Sequence, residues 1–92
     1  MNDFIVNPVD FLAMGMRIKR VRKAHHLSVG RFAEILQVSD NAVYKWQRGE
    51  TAPDIVNLCI ISTRFGVSLD YLMLGRGGDD ESSSPVLKEK AA

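Results

Sequence analysis

Residues 28–50, SVGRFAEILQVSDNAVYKWQRGE, decide the fold of this chain. Their apolar residues recur at helical spacing in two short runs: Phe32, Ala33, Ile35 and Leu36 in the first, then Val38, Val43 and Trp46 around the second. Ser28 and Ser39 precede these runs and are residue types that commonly cap the start of a helix. Only a short turn around Gln37 separates the two predicted helices, so they must cross at a steep angle.

Three further helices are predicted around this pair. Residues 14–24 carry an apolar stripe at positions i, i+4 and i+7, and the opposite side of that helix is almost entirely positive. Asp54 and Ser68 are expected to cap a fourth and a fifth helix, which end at Gly66 and Gly75. No run alternates apolar and polar residues with period two, so no strand is expected. The sequence predicts an all-α, compact five-helix bundle with a helix-turn-helix at helices 2–3.

The chain divides into three parts by composition. Residues 1–12 form an apolar N-terminal arm or an extra helical turn, with Asn7 and Pro8 as an early helix start. Residues 13–76 are expected to form the helical domain. Residues 77–92 are polar, acidic and rich in Gly and Ser, which predicts a disordered tail.

The charges are distributed unevenly along the chain. Residues 13–78 carry ten Lys and Arg against five Asp and Glu, a net charge of +5. Residues 1–12 and 79–92 each carry a net charge of −2. A basic centre favours a polyanionic partner. No apolar run approaches the ~20 residues that cross a bilayer, so we expect no membrane partner and a cytoplasmic protein.

Other chemistries find little support in the sequence. The single cysteine, Cys59, falls among Ile55, Leu58 and Ser62 and is expected to be a small buried residue. His25 and His26 are adjacent on a helix and have no partner ligand at suitable spacing, so no metal and no other cofactor is expected. No nucleophile–base set or phosphate-binding glycine loop is present, which argues against an enzyme.

Three ordered segments give the chain a recognisable pattern: MGMRIKRVRKA, LSVGRFAEILQVSDNAVYKWQRGETAPD and LCIISTRFGVSLDYLMLG. Residues 14–75 resemble the Cro/phage-repressor family of helix-turn-helix proteins, also called the xenobiotic-response-element (XRE) type. The resemblance implies a five-helix bundle of the lambda-repressor-like type, found in bacteria and phages. It also implies a homodimer that binds a palindromic double-stranded DNA operator and is nucleoid-associated when bound.

The resemblance assigns roles to individual residues. Base contacts are expected from the exposed side of the third helix: Asp40, Asn41, Tyr44 and Lys45. Phosphate contacts are expected from residues around that helix: Arg17, Ser28, Arg31, Ser39 and Arg48. Support of the recognition helix is expected from packed residues: Arg22, Gln47, Val43 and Trp46.

Each base-contacting residue type has its own chemistry. Asn41 can bond adenine through N6 and N7, and Lys45 can reach a guanine edge or a phosphate. Tyr44 can bond a phosphate or touch a thymine methyl group. Asp40 can accept a bond from cytosine N4, but the DNA backbone repels its charge, so we interpret it as a residue that also excludes sequences.

The sequence departs from the family pattern at three places. Val29 stands where the family commonly has a glutamine that contacts phosphate, and the helix-two amides and Arg31 are the expected substitutes. Gln47 replaces a glutamate that often pairs with Arg22. The loop 50–52 lacks the basic residues that some members direct at the DNA backbone.

More apolar residues are present than five short helices can bury. The candidates for a dimer interface are Val56, Ile60, Tyr71, Met73 and Leu74. The alternative is that the N-terminal segment folds back over its own bundle. The favoured function is a transcriptional repressor that acts by operator occupancy. The alternatives are an antitoxin with a small protein partner and an interaction module that has lost DNA binding.

Overall fold

Five helices and no strands make up residues 8–77, the part of the chain that the structure, a computed structural model, describes. In chain order they are α1 (Phe11–Ala24), α2 (Val29–Leu36), α3 (Asp40–Gln47), α4 (Ile55–Phe65) and α5 (Leu69–Leu74). The predicted all-α five-helix bundle is therefore confirmed. The predictions for residues 1–7 and 78–92 lie outside the described residues.

Every helix begins at a side chain that accepts a hydrogen bond from a backbone N–H three residues further on. The caps are Asp10, Ser28, Ser39, Asp54 and Ser68. Each such cap contributes about 1 kcal/mol. The four caps predicted for α2 to α5 are confirmed. The start at Asn7 and Pro8 is wrong, because Asp10 Oδ1 accepts from Ala13 N–H at 3.1 Å. Helix α1 therefore includes Phe11 and Leu12, which the sequence assigned to an arm or an extra helical turn.

The core lies where α1, α2 and α3 meet α4 and α5. Its most completely buried side chains are Phe32, Ile18, Ile61, Leu72 and Val43. Helix α1 packs against both α3 and α5, while α2 packs against α3 and α4. Cys59 is exposed, so the prediction that it is buried is wrong. It neighbours Leu58 in sequence but lies about 100° further around the helix, away from the core.

Gly15 permits an unusually close approach between α1 and α3. A Cβ atom added to Gly15 would lie 1.9 Å from the Trp46 carbonyl oxygen. In the sequence this glycine makes helix continuity uncertain, yet α1 passes through it unbroken. The missing side chain allows the α1 backbone to rest directly on the C-terminal end of α3.

Two arginines of α1 bind α5. Arg17 Nε donates to the Leu72 carbonyl at 3.0 Å, and its Nη2 donates to the Met73 carbonyl at 3.2 Å. Arg20 Nη1 donates to the Tyr71 hydroxyl at 3.3 Å. The two bonds from Arg17 satisfy carbonyl groups that the end of a helix leaves without intrahelical partners, while the bond from Arg20 holds a side chain of α5.

These contacts change two predicted roles. Arg17 is committed to the end of α5, so we remove it from the predicted phosphate contacts. Tyr71 is only 6% exposed and belongs to the core of its own chain, so we remove it from the dimer candidates. Met73 and Ile60 are partly buried against that core.

Candidate nucleic-acid interface

The turn between α2 and α3 is closed by backbone hydrogen bonds. Val38 N–H donates to the Ala33 carbonyl at 3.0 Å, and Gln37 N–H donates to the Glu34 carbonyl at 3.1 Å. Gln37 adopts the left-handed conformation, with φ 60° and ψ 45°. That conformation costs a non-glycine residue roughly 1–2 kcal/mol. The turn therefore holds the two helices at one fixed crossing.

Packed residues fix the orientation of α3. Val43 is fully buried and Trp46 is 5% exposed, so one side of the helix is sealed in the core. Arg22, which is 8% exposed, donates from Nε to Gln47 Oε1 at 3.2 Å and from Nη1 to the Leu27 carbonyl at 2.8 Å. Arg22 thus joins α1 to the end of α3 and to the segment before α2, as the sequence predicts for Arg22 and Gln47.

Replacing Gln47 by glutamate should stabilise the fold. The new carboxylate would accept the Arg22 bond with a full negative charge, and charge-assisted hydrogen bonds are stronger than neutral ones. We expect a gain of about 1 kcal/mol in the free energy of unfolding and a rise of about 4–8 °C in Tm. Thermal unfolding followed by circular dichroism measures it. Gln47→Met, which keeps the volume and removes the acceptor, should lower Tm, and equal melting of the two variants would contradict the bond.

The opposite side of α3 presents polar side chains. Asp40 and Asn41 are exposed, Tyr44 is 46% exposed and Lys45 is half-buried. All four are the residues that the sequence selected for base contacts. Asn41, Tyr44 and Lys45 point away from Val43, and Asp40 is the first residue of the helix, three positions before Val43. The exposed surface of α3 therefore offers hydrogen-bond acceptors, hydrogen-bond donors and one positive charge.

Asp40 lies beside the first turn of α2. A methyl group placed on Gly30 would be 3.5 Å from Asp40 Oδ2 and 4.0 Å from the Ser28 hydroxyl oxygen. The first turn of α2 is where backbone N–H groups favour an anion. The carboxylate of Asp40 therefore faces the same region of α2 that would attract a phosphate, and its negative charge opposes that attraction.

Two exposed arginines flank this surface, and both are in ion pairs. Arg31 Nη1 lies 2.9 Å from Glu34 Oε1. Arg48 Nε lies 2.6 Å from Glu50 Oε2, and its Nη2 donates to Glu50 Oε1 at 3.4 Å. The hydrogen bond from Arg48 lowers the pKa of Glu50 and the same bond raises the pKa of Arg48, so the pair stays ionised at neutral pH.

Sequence reasoning missed the roles of these two glutamates. The Arg31–Glu34 pair has i, i+3 spacing on one helix, so it could have been predicted from the sequence. The Arg48–Glu50 pair depends on the turn after α3, where Gly49 has φ 76°. Each arginine already binds a carboxylate, so an anionic partner would have to compete with that carboxylate.

The hydroxyls of the two capping serines each keep a donor available. Ser28 Oγ accepts from Arg31 N–H at 3.0 Å, and Ser39 Oγ accepts from Ala42 N–H at 3.0 Å. A hydroxyl that accepts in this way retains its own proton as a donor. The starts of α2 and α3 thus each combine a serine hydroxyl with helix N–H groups, as an anion-binding surface requires.

The sequence is similar to those of known helix-turn-helix proteins. Residues 18–72 fit the helix-turn-helix family model HTH_3. The chain is 36% identical over 62 residues to repressor protein C2 of Salmonella phage P22, which covers 67% of this chain and 29% of that protein. It is 34% identical over 59 residues to the HTH-type transcriptional activator BcrR of Enterococcus faecalis, covering 64% of this chain and 29% of BcrR. It therefore spans under a third of the length of these two curated relatives.

The fold is also similar to those of solved helix-turn-helix proteins. The P22 c2 repressor in complex with synthetic operator 9T superposes with a TM-score of 0.63 at 35% identity, covering 67% of this chain and 94% of that one. A transcriptional regulator from Listeria innocua superposes with a TM-score of 0.62 at 30% identity, covering 85% and 75%. With the predicted resemblance confirmed by sequence and by structure, the chain belongs to the HTH_3 helix-turn-helix family, of the Cro/phage-repressor type.

Proposed function

We propose that this protein is a sequence-specific DNA-binding transcriptional regulator that represses by occupying an operator. The observation that carries the proposal is the exposed polar side of α3. The opposite side of α3 is buried in the core, and α2 and α3 each begin at a serine cap. A helix supported in this way can enter the major groove and present its side chains to base edges. The likeness to the P22 c2 repressor, which was solved in complex with a synthetic operator, supports binding to DNA.

In the proposed complex, the exposed residues of α3 have different roles. Asn41 and Lys45 read bases, Tyr44 contacts a phosphate or a thymine methyl, and Asp40 disfavours sequences that leave its carboxylate without a donor. Each matched base contact contributes ~1–3 kcal/mol of discrimination. Arg31 and Arg48 bind phosphates and set the register without reading sequence.

We further propose that the protein binds as a homodimer on a palindromic site in the cytoplasm. One helix-turn-helix offers few base contacts, and a two-fold dimer doubles them. Val56, which is 62% exposed, supports a contact surface on α4, with Ile60, Met73 and Leu74 as further candidates. No helix within residues 8–77 is long and apolar enough to cross a membrane.

Selection of duplexes from a random pool, followed by sequencing, tests the proposal. We expect enrichment of a palindromic site, bound with nanomolar affinity that falls steeply as salt rises. Sedimentation of the complex should give two chains per site. A reporter promoter that overlaps the selected site should lose expression when the protein is present. Failure to enrich any sequence would instead favour a protein-interaction module.

Replacing Glu50 by glutamine should strengthen DNA binding. The change removes a negative charge and releases Arg48 for phosphate. Exposed ion pairs are worth little, so we expect an affinity gain of only about 2- to 5-fold per half-site, similar for all sequences. Fluorescence anisotropy with a selected and a scrambled duplex measures it. The control repeats Glu50→Gln in an Arg48→Ala background, where the double variant should bind no more tightly than Arg48→Ala alone. If it does bind more tightly, Arg48 is not the source of the gain.

A further inference from the structure

The outer side of α1 is a basic surface that the proposed DNA contacts do not use. Lys19, Arg20 and Lys23 line a shallow depression together with Met16 and Ala24. Their spacing places them on the side of α1 opposite the buried core residues. We call this set the α1 basic face. Within residues 8–77, neither Lys19 nor Lys23 makes an ion pair.

The end of α5 lies next to this surface. Arg20 belongs to the α1 basic face and also donates to the Tyr71 hydroxyl. Arg17, three residues earlier on α1, binds the last carbonyls of α5, and a Cβ on Gly75 would lie 2.9 Å from its Nη1. The chain therefore leaves α5 alongside α1.

The segment that follows has the complementary charge. Asp79, Asp80 and Glu81 begin four residues after Gly75 and carry three consecutive negative charges. Four extended residues span about 13–14 Å, more than two turns of a helix. That length is enough to bring the three acids onto the α1 basic face. Attachment to the same chain supplies an effective concentration in the millimolar range, so a weak electrostatic contact can be populated.

We propose that the acidic segment 79–81 docks on the α1 basic face of its own chain. Docking places three carboxylates beside Lys19 and Lys23 and shields the positive charge of the α1 basic face from other polyanions. Its consequence rests on the proposed function: with the face covered, α1 contributes less to nonspecific DNA binding, and sequence readout by α3 accounts for a larger share of the affinity.

A spin label tests the docking without DNA. The full chain carries the label at Ser82→Cys in a Cys59→Ser background, and the amide signals of α1 are followed by NMR. We expect the signals of Met16, Lys19 and Lys23 to lose intensity. The intensity should return in about 1 M salt, where the Debye length falls to ~3 Å. It should also return in the Lys19→Glu/Lys23→Glu variant.

Matched controls separate this contact from general attraction. Arg64→Glu removes an exposed positive charge from α4 and should leave the α1 signal loss unchanged. Loss of α3 signals in place of α1 signals would overturn the proposal, as would no loss at all. A further sample mixes an isotope-labelled chain that carries no spin label with a spin-labelled chain that carries no isotope. Signal loss in this mixture would show that the segment docks on a second copy, which also overturns the proposal.

A second measurement tests the consequence for DNA. Asp79→Asn/Asp80→Asn/Glu81→Gln should bind a scrambled duplex more tightly and steepen the slope of log K against log salt by about 1 to 3, because up to three more charges reach phosphates. Docking with an unchanged slope would overturn the shielding consequence. If no duplex binds, the proposed function fails, while the spin-label result still decides the docking.

Discussion

Gly15→Ala should strongly lower the free energy of unfolding of the protein. The added Cβ would lie 1.9 Å from the Trp46 carbonyl oxygen, 2.9 Å from its carbonyl carbon and 3.1 Å from Gln47 Cα. All three are backbone atoms, so no side-chain rotation relieves the overlap. Helices α1 and α3 would have to separate, which disturbs Trp46 and the bond between Arg22 and Gln47.

The expected loss is about 3 kcal/mol or more, the upper range for overpacked cores. It outweighs the ~1 kcal/mol that alanine gains over glycine in a helix. Against a typical stability of ~5–15 kcal/mol, this is a large fraction for a small domain. Urea unfolding followed by the fluorescence of the single tryptophan measures the change.

Gly66→Ala is the matched control. Gly66 also lacks a side chain, and its φ is +70°, but an added Cβ meets nothing within 4 Å. We therefore expect only the ~1–2 kcal/mol cost of a left-handed alanine. If Gly15→Ala proves no less stable than Gly66→Ala, the close approach of α1 and α3 is wrong.

Asn41→Ala should weaken base preference, most of all at the position that Asn41 contacts, while nonspecific DNA binding persists. Removing a bidentate contact to adenine costs ~1–3 kcal/mol, or roughly 5- to 150-fold in affinity for the selected site per half-site. Affinity for a scrambled duplex should hardly change, because Asn41 carries no charge. The side chain is exposed, so Tm should stay within about 2–4 °C of the parent, consistent with the small effect of surface substitutions.

Arg48→Ala supplies the contrasting pattern. It should weaken selected and scrambled duplexes by similar factors and reduce the salt slope by about 1. Competition binding with both duplexes distinguishes the two variants. Should Asn41→Ala weaken all duplexes equally while Arg48→Ala changes base preference, the assignment of reading and positioning roles would be reversed.

The features that depend on nearby residues were predictable from the sequence. Each serine cap acts on an N–H only three residues away, and the apolar spacing of α2 and α3 is a local pattern. The exposed side of α3 follows from that same spacing. Start signals can compete, however: Asn7 and Pro8 offered one start for α1, and Asp10, with an oxygen that reaches Ala13 N–H, provided the other.

What depends on distant contacts was not predictable. Arg17 is positive and lies on α1, which suggested phosphate, but its partners are 55 and 56 residues away in sequence. Tyr71 looked like surplus apolar surface until packing with α1 buried it. The pairing of Arg48 with Glu50 likewise required the path of the turn at Gly49, which residue types alone do not determine.

The bond from Arg17 to the end of α5 also affects how the protein is made. Helix α5 has six residues, too few to persist alone in water. Its last carbonyls bind Arg17 in the middle of α1, so this contact between the two helices forms only after α5 has been synthesised. Until residue 74 has emerged, the core between α1 and α5 stays open, and α3 packs against an incomplete core. The nascent chain should therefore acquire its native fold late and nearly all at once, only after the fifth helix has been synthesised.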